Sequence, residues 1–334
     1  MKKLLFSLFS IFILLVYPLQ TRAAAPTIVG PDDRESITGQ AVGPEQAVVV
    51  LEAVSKDGDF WQCSGSMVGR NTVLTAAHCI IDEEGNYAKQ ISVYAVGISK
   101  AQASTNRHSV LRPNTSETQG QESPSIADII FDPSDRNITN INQQNSSLEN
   151  LIIEQMEQTR WVYDEAGNRA YPFAKSKKLW VPDKYIRAVH NPSDENAIID
   201  KYDYDYGIIV LDNYLGDMTR YLGLKIPTKE ELTDADIVVI GRGGDKPDRT
   251  LWRSPGHINA DDMILSQNII YFNADVLPGN SGGPVFKQDD LTSIVALAVR
   301  DIGVPHVDEG YTPNFGLPIR KEIIDAVKRF NEFL

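Results

Sequence analysis

The sequence is poor in cysteine, in basic residues and in long apolar runs, and each scarcity excludes a class of protein. It contains two cysteines, and no second Cys or His pair completes a four-ligand zinc site. Its 32 basic residues against 45 acidic ones give a formal net charge of −13, which excludes nucleic acid as an expected partner because a phosphate backbone demands a basic face. After residue 25, no stretch resembles a membrane span.

The one long apolar run lies at the N-terminus, in "MKKLLFSLFSIFILLVYPLQTRAAAP". Lys2 and Lys3 precede the run at residues 4–16, and three alanines at 23–25 follow it. This layout predicts a secretory signal peptide over residues 1–25 rather than a retained anchor, since a transmembrane helix needs about 20 apolar residues. We therefore expect a secreted protein, extracellular or periplasmic, in which the two cysteines form a disulfide.

Short runs rich in β-branched residues recur along the chain between Gly, Pro, Asn and Asp. They occupy residues 47–54, 91–98, 207–211, 236–241, 269–274 and 293–299. Such a series predicts an all-β sandwich or barrel. Helical periodicity is concentrated at the end of the chain, where Ile319, Ile323, Val327 and Phe330 share one face of a predicted C-terminal α-helix.

The composition changes between residue 101 and about residue 175, where Ser, Thr, Asn, Gln and scattered charges dominate. We interpret this segment as a long surface insertion in the N-terminal half. Within it, "SLENLIIEQMEQ" has the apolar spacing of a short amphipathic helix. Loops of this length inside a compact domain are either functional or mobile.

Glycines surround Ser281 in "DVLPGNSGGPVF", residues 275–286. The stretch is either a tight turn, since Gly adopts positive φ angles and Ser tolerates turns, or the setting of a nucleophile. In the second interpretation, the N–H groups of Gly279 and Ser281 donate to a developing oxyanion, and one such donor is worth about 3 kcal/mol in the rate.

A serine nucleophile needs a histidine as base and a carboxylate that orients the histidine. His78 is the candidate base, because it follows small residues in "NTVLTAAHC", where another segment can approach the ring. Among the acids in "DKYDYDYGIIVLD", Asp205 leads directly into an apolar strand. The alternative for this stretch is a solvated turn rich in Asp and Tyr, and it suits Asp203.

The pattern G-x-S-x-G at 279–283 also matches the nucleophile elbow of α/β-hydrolases. That elbow leads from a strand into a helix and requires an acid and then a histidine later in the chain. Here Pro284 follows closely, and His306 is the one later histidine. The order His78, Asp205, Ser281 disfavours the elbow.

Three blocks, "CSGSMVGRNTVLTAAHC", "DYGIIVL" and "GNSGGPV", resemble the catalytic blocks of chymotrypsin-fold serine proteases. "IVGPDDRESIT", "VPDKYIRA" and "GDKPDRTLW" further resemble the bacterial glutamyl endopeptidase, or V8-like, branch. The resemblance covers most of residues 27–334 apart from the insertion. It implies two antiparallel six-stranded β-barrels, at residues 26–213 and 214–334, with the C-terminal helix after them.

By position, the resemblance implies that His78 is the general base, Asp205 the orienting acid and Ser281 the nucleophile, with the oxyanion hole at the N–H groups of Gly279 and Ser281. The protein would be a monomer acting on protein or peptide substrates through an acyl-enzyme. No metal or organic cofactor is implied.

The resemblance also implies that a Cys63–Cys79 bridge braces the histidine loop. In trypsin-type zymogens an aspartate just before the serine pairs with a freed N-terminus. Asn280 stands there in this sequence, which predicts that this switch is absent.

The residue on the acyl side of the cleaved bond, P1, is predicted less directly. The V8-like branch is expected to read a P1 carboxylate with a Thr and a His, but Val276 and Ala298 occupy those positions and cannot donate hydrogen bonds. A carboxylate buried without donors is costly. Arg300 is a candidate cation for an acidic P1, and Asp275 is a candidate anion for a basic P1. We favour an acidic P1.

Two other functions remain as alternatives. An inactive protease homologue that binds partners is disfavoured because all three catalytic positions are filled. A protease-chaperone of the HtrA type is disfavoured because the 53 residues after Ser281 complete a barrel and a helix without adding a peptide-binding domain. The sequence thus predicts a secreted serine endopeptidase.

Overall fold

The computed structural model describes residue 28 and residues 31–111, 160–163, 167, 170–194, 196–258, 269–299 and 314–331. The predicted signal peptide, the predicted short helix in "SLENLIIEQMEQ" and His306 lie outside these ranges. Within them, no helix is long and apolar enough to cross a membrane.

Strands are the commonest regular elements among the described residues. In chain order these are β1 (Glu35–Ser36), β2 (Val48–Val54), β3 (Phe60–Met67), β4 (Thr72–Thr75), β5 (Gln90–Tyr94), β6 (Arg160–Tyr163), β7 (Ala170–Trp180), β8 (Gly207–Leu211), β9 (Gly223–Leu224), β10 (Ala235–Gly241), β11 (Trp252–Ile258), β12 (Ile270–Phe272), β13 (Pro284–Lys287), β14 (Ser293–Ile294), β15 (Ala296–Val299) and β16 (Asn314–Pro318). The helices are α1 (Lys100–Leu111), α2 (Asp183–His190), α3 (Ala197–Asp203), α4 (Gly216–Thr219), α5 (Lys229–Leu232) and α6 (Lys321–Asn331), with 3-10 turns at Gly43–Ala47 and Ala77–Cys79. All six apolar runs contain strands.

The N-terminal sheet closes into a six-stranded antiparallel barrel. Its order is β5-β2-β3-β4-β8-β7, and β7 pairs back onto β5, while β6 adds a seventh strand beside β7. The runs "VVVL" of β2 and "II" of β8 are fully buried, as expected when a continuous apolar strand faces a core on both sides.

The C-terminal sheet also has seven antiparallel strands, in the order β1-β11-β10-β13-β15-β16-β12. Among the described residues it forms a half-barrel, because β11 and β12 share no ladder. One backbone bond, 3.1 Å from Asn273 N to His257 O, draws these two strands together just beyond β12. The chymotrypsin-like fold is therefore present, with one closed barrel where two were expected.

The predicted insertion ends earlier than the composition suggested. Residues 170–175 belong to β7, which pairs with β5 and β8 in the closed barrel. Polar residues are compatible with this strand because part of it is solvent-exposed. Between β5 and β6, the helix α1 is the part of the predicted insertion that lies among the described residues.

Each end of the described chain crosses to the other half of the molecule. β1, which the predicted boundary at residue 213 assigned to the N-terminal barrel, instead pairs with β11 of the C-terminal sheet. The predicted C-terminal helix is confirmed as α6, and Ile323, Val327 and Phe330 are buried on its inner face. α6 packs on β4 and β8 of the N-terminal barrel.

Candidate active site

Two adjacent strands bring His78 and Asp205 together. β4 ends at Thr75 and β8 begins at Gly207, and the antiparallel register pairs these two residues. His78 follows β4 by three residues and Asp205 precedes β8 by two, so both leave the same end of the barrel. An added Cβ on Gly207 would lie 2.6 Å from Ile80 Cδ1, so a glycine there permits the close approach of the two segments.

Both oxygens of the Asp205 carboxylate bind His78. Oδ2 lies 2.7 Å from His78 Nδ1, and Oδ1 accepts the His78 backbone N–H at 3.0 Å. Asp205 is 8% exposed. It is therefore buried and does not lie in a solvated turn. Burial, and secondarily the charge of Asp205, raises the pKa of the nearby Tyr185 hydroxyl, which therefore stays neutral beside the carboxylate.

Ser281 comes from the other half of the molecule. Its carbonyl oxygen accepts the N–H of Ser64 in β3 at 2.8 Å and lies 3.5 Å from Cys79 Sγ, in the residue that follows His78. Gly282 N–H donates to Ala298 O at 2.7 Å. The Ser281–Gly282 peptide is thus hydrogen-bonded to both halves of the molecule, close to the turn that carries His78.

No hydrogen bond joins Ser281 Oγ to His78 Nε2. The Nε2 atom is buried and bonds to no described residue. Nδ1 faces a carboxylate, so the favoured neutral tautomer carries its proton there and leaves Nε2 as an acceptor. Serine–histidine bonds of this kind often tighten only when a substrate is bound.

Two glycines around Ser281 have positive φ angles, as expected for a tight turn. Gly279 has φ +105°, and an added Cβ would lie 2.8 Å from Arg242 O. Gly282 has φ +78°, and a Cβ there would collide with the Thr75 side chain. Among the described residues, no acceptor is bonded to the N–H of Gly279 or Ser281.

Cys63 and Cys79 form the expected disulfide, which joins β3 to the turn that carries His78. His78 and these two sulfurs also lie close enough together to share a metal ion. Because both sulfurs are in the disulfide, they offer no thiolate for metal binding.

Three of the four candidate P1-pocket residues are buried. Val276 is 5% exposed, Ala298 is fully buried and Asp275 is 2% exposed, while Arg300 lies outside the described residues. Asp275 borders a cavity of about 260 Å³. The remaining lining residues are Asp33, Pro255, Gly256, His257 and Asn273.

Position 280 carries no charge that could hold a freed N-terminus. Asn280 Oδ1 instead accepts the Leu277 N–H at 3.0 Å, which closes the loop locally. Two other hydroxyls here could not be identified from sequence patterns, because their bonding partners lie elsewhere in the chain. Thr75 Oγ1 donates to Ser64 O at 2.7 Å, and Ser64 Oγ donates to Gly279 O at 2.7 Å.

Comparison with known proteins agrees with this architecture. Residues 37–129 match the trypsin family model. The glutamyl endopeptidase of Bacillus licheniformis is 23% identical over 313 residues, covering 92% of this chain and 70% of the relative.

Two solved structures share the fold. A Glu endopeptidase in complex with MPD has a TM-score of 0.55 and 17% identity, covering 92% of this chain and all of that one. The protease Anisep from Arthrobacter nicotinovorans has a TM-score of 0.50 and 13% identity, covering 90% of this chain and all of that one. Together these comparisons show a similarity to the trypsin family over residues 37–129 and a chymotrypsin-like fold.

Proposed function

We propose that the protein hydrolyses peptide bonds through a triad of His78, Asp205 and Ser281. The observation that carries this proposal is the double contact of Asp205 with His78, at 2.7 Å to Nδ1 and 3.0 Å to the backbone nitrogen. A carboxylate held this way fixes both the orientation and the tautomer of the imidazole.

In this mechanism, His78 Nε2 takes the proton of Ser281 Oγ as the oxygen attacks the scissile carbonyl. The oxygen of the tetrahedral intermediate is stabilised by the N–H groups of Gly279 and Ser281. Nε2 then gives its proton to the departing amine, which leaves an acyl-enzyme on Ser281. A water molecule, deprotonated by His78, releases the acyl group and restores the serine.

The proposal includes secretion and an acidic P1 residue. Secretion is supported by the N-terminal apolar run and by the Cys63–Cys79 disulfide, which forms in oxidising compartments. The acidic P1 is supported by the sequence similarity to a glutamyl endopeptidase. Since Val276 and Ala298 offer no side-chain donor, Arg300 is the proposed cation.

An organophosphonate probe that modifies activated serines tests the triad. The wild type should gain the mass of one probe and lose peptidase activity, whereas Ser281→Ala should gain none. Ser254→Ala is the matched control, because its buried hydroxyl bonds to no described residue, and it should be labelled like the wild type. A wild type that is neither labelled nor active would instead support the inactive homologue.

The P1 proposal is tested separately with a peptide library that varies the residue before the cleaved bond. Cleavage should concentrate after Glu and Asp and should fall in Arg300→Gln. Cleavage after Lys or Arg would assign the pocket to Asp275 and exclude the acidic P1, while leaving the triad intact.

A further inference from the structure

Ser64 is a fully buried serine that has no role in the proposed triad. It lies in β3 directly after Cys63, in the N-terminal barrel. Nevertheless it contacts both residues whose N–H groups are proposed to form the oxyanion hole. Its backbone N–H donates to Ser281 O at 2.8 Å, and its hydroxyl donates to Gly279 O at 2.7 Å.

The direction of the hydroxyl bond is determined by a third partner. Arg242 N–H, just after β10, donates to Ser64 Oγ at 2.8 Å. A hydroxyl has a single proton, and an N–H group cannot accept it. The Ser64 proton must therefore point to Gly279 O, which gives a continuous chain from Arg242 N–H through Ser64 to the Gly279 carbonyl.

Gly279 needs such support because a glycine with φ +105° has no side chain that restricts rotation. Ser64 anchors the peptide after the Gly279 Cα. The peptide before it, which carries the Gly279 N–H, packs closely against the segment that follows Arg242, because there is no room for a Cβ between Gly244 and Pro278 O. Both peptides that meet at Gly279 are thus held in place.

We propose that Ser64 is a positioning residue for the oxyanion hole. Through its hydroxyl it fixes the rotation of Gly279, so that the Gly279 N–H is directed at the position of the oxyanion before substrate binds. This proposal rests on the proposed triad and oxyanion hole. It assigns Ser64 to transition-state stabilisation, so its loss should slow the chemical step without weakening substrate binding to the same extent.

The test compares Ser64→Ala with Ser66→Ala. Ser66 lies two residues along the same strand and is equally buried, but its hydroxyl bonds to no described residue. Ser64→Ala should lower kcat by about tenfold to hundredfold, which does not exceed the loss expected on removing one oxyanion donor. Its KM should change by less than about threefold. Ser66→Ala should stay within about twofold of the wild type for both parameters.

Inhibitors separate positioning from a merely structural role. A peptide aldehyde forms a tetrahedral adduct with an oxyanion, whereas the peptide alcohol of the same sequence cannot. Ser64→Ala should lose aldehyde affinity by the same factor as kcat and keep its alcohol affinity, with both inhibitors measured against active-site-titrated enzyme. Ser64→Thr, which keeps the hydroxyl, should recover most of the aldehyde affinity.

Three outcomes would overturn the proposal: wild-type kcat in Ser64→Ala, equal losses of aldehyde and alcohol affinity, or a Ser64→Thr variant as impaired as the alanine variant. If Ser64→Ala does not fold, Ser64→Thr is compared directly with the wild type, and a loss of aldehyde affinity in that variant overturns the proposal. Each of these results leaves the triad standing, because the phosphonate labelling of the wild type tests the triad independently.

Discussion

At the scale of single residues, the carboxylate of Asp205 shows how a buried charge is stabilised by two donors. Each oxygen accepts one hydrogen bond from His78, one from the ring and one from the backbone. Hydrogen bonds to charged groups are stronger than those between neutral groups, and they offset part of the cost of burying the charge. The sequence could nominate Asp205, but it could not show that both oxygens are used.

Replacing Asp205 with asparagine should lower kcat by about 10⁴-fold. An amide has one oxygen acceptor, so one of the two His78 donors would face the NH₂ group. The imidazole can relieve this by moving its proton to Nε2, where it can no longer accept the Ser281 proton. Peptide hydrolysis measured under saturating substrate checks the prediction.

Asp203→Asn is the matched control, since Asp203 ends α3 two residues earlier and forms no hydrogen bond with His78, whose carboxylate partner is Asp205. Its kcat should stay within about threefold of the wild type. Equal losses in the two variants would contradict the assignment of Asp205 as the orienting acid.

At the scale of elements, α6 is a C-terminal helix that packs on the N-terminal barrel. Its Phe330 ring is 5.6 Å from the Trp180 ring of β7, measured between centroids, and Asn331 Nδ2 donates to Val68 O at 3.0 Å. The inner face of α6 thus covers β4 and β8, the two strands that lead to His78 and Asp205. The helix periodicity was readable from the sequence, but the surface that the helix covers was not.

Phe330→Ala should lower the free energy of unfolding by about 3–5 kcal/mol, since it removes a large buried side chain and leaves a cavity. Phe60→Ala is the control, because Phe60 is 56% exposed, and it should change stability by less than about 0.5 kcal/mol. Urea denaturation followed by tryptophan fluorescence measures both values. A Phe330→Ala variant as stable as Phe60→Ala would show that α6 does not brace the barrel.

At the scale of the whole molecule, both ends of the described chain cross between the two sheets. Near the start, Arg34 is buried and binds Asp32 at 2.8 Å and Asp245 at 2.5 Å and 2.9 Å. Asp245 belongs to the same segment as Gly244, which lies against Pro278. Arg34 therefore links the segment before β1 to the segment at Gly244 and Asp245, which packs against the loop that carries Ser281.

Arg34→Met should lower the free energy of unfolding by about 2–3 kcal/mol near pH 7, the range for a hydrogen bond to a charged group. The hydrogen bond from Arg34 lowers the pKa of Asp245 in the folded state. Stabilisation from a lowered carboxyl pKa is complete above the unfolded value of about 3.9 and is lost as the pH falls toward the folded value. The difference between wild type and variant should therefore shrink in acid.

Urea denaturation at several pH values between about 6 and 2 measures this difference, because the loss is expected below the unfolded carboxyl pKa. The control is Arg187→Met, since Arg187 is exposed on α2, and it should show a small difference that does not change with pH. A constant gap between wild type and Arg34→Met over the whole pH range would refute the proposed ion pairing.

The sequence by itself determined the local features of this protein. Runs such as "VVVL" and "GIIVL" favour strands, and the spacing of Ile323, Val327 and Phe330 favours a helix. Glycines at 279 and 282 permit the positive φ angles found there. The candidate residues His78, Asp205 and Ser281 were also readable, because each lies in a short block whose chemistry is recognisable.

The tertiary structure alone decided everything that depends on register and on contacts between distant segments. The pairing of Thr75 with Gly207 sets His78 against Asp205, and the polar strand β7 closes the barrel although its composition predicted an insertion. Ser64 acquires its contacts with Gly279 only when the two halves meet, since 215 positions separate the two residues. Hydrogen bonds of this kind depend on the folded arrangement of segments far apart in the chain, which no local pattern of residues encodes.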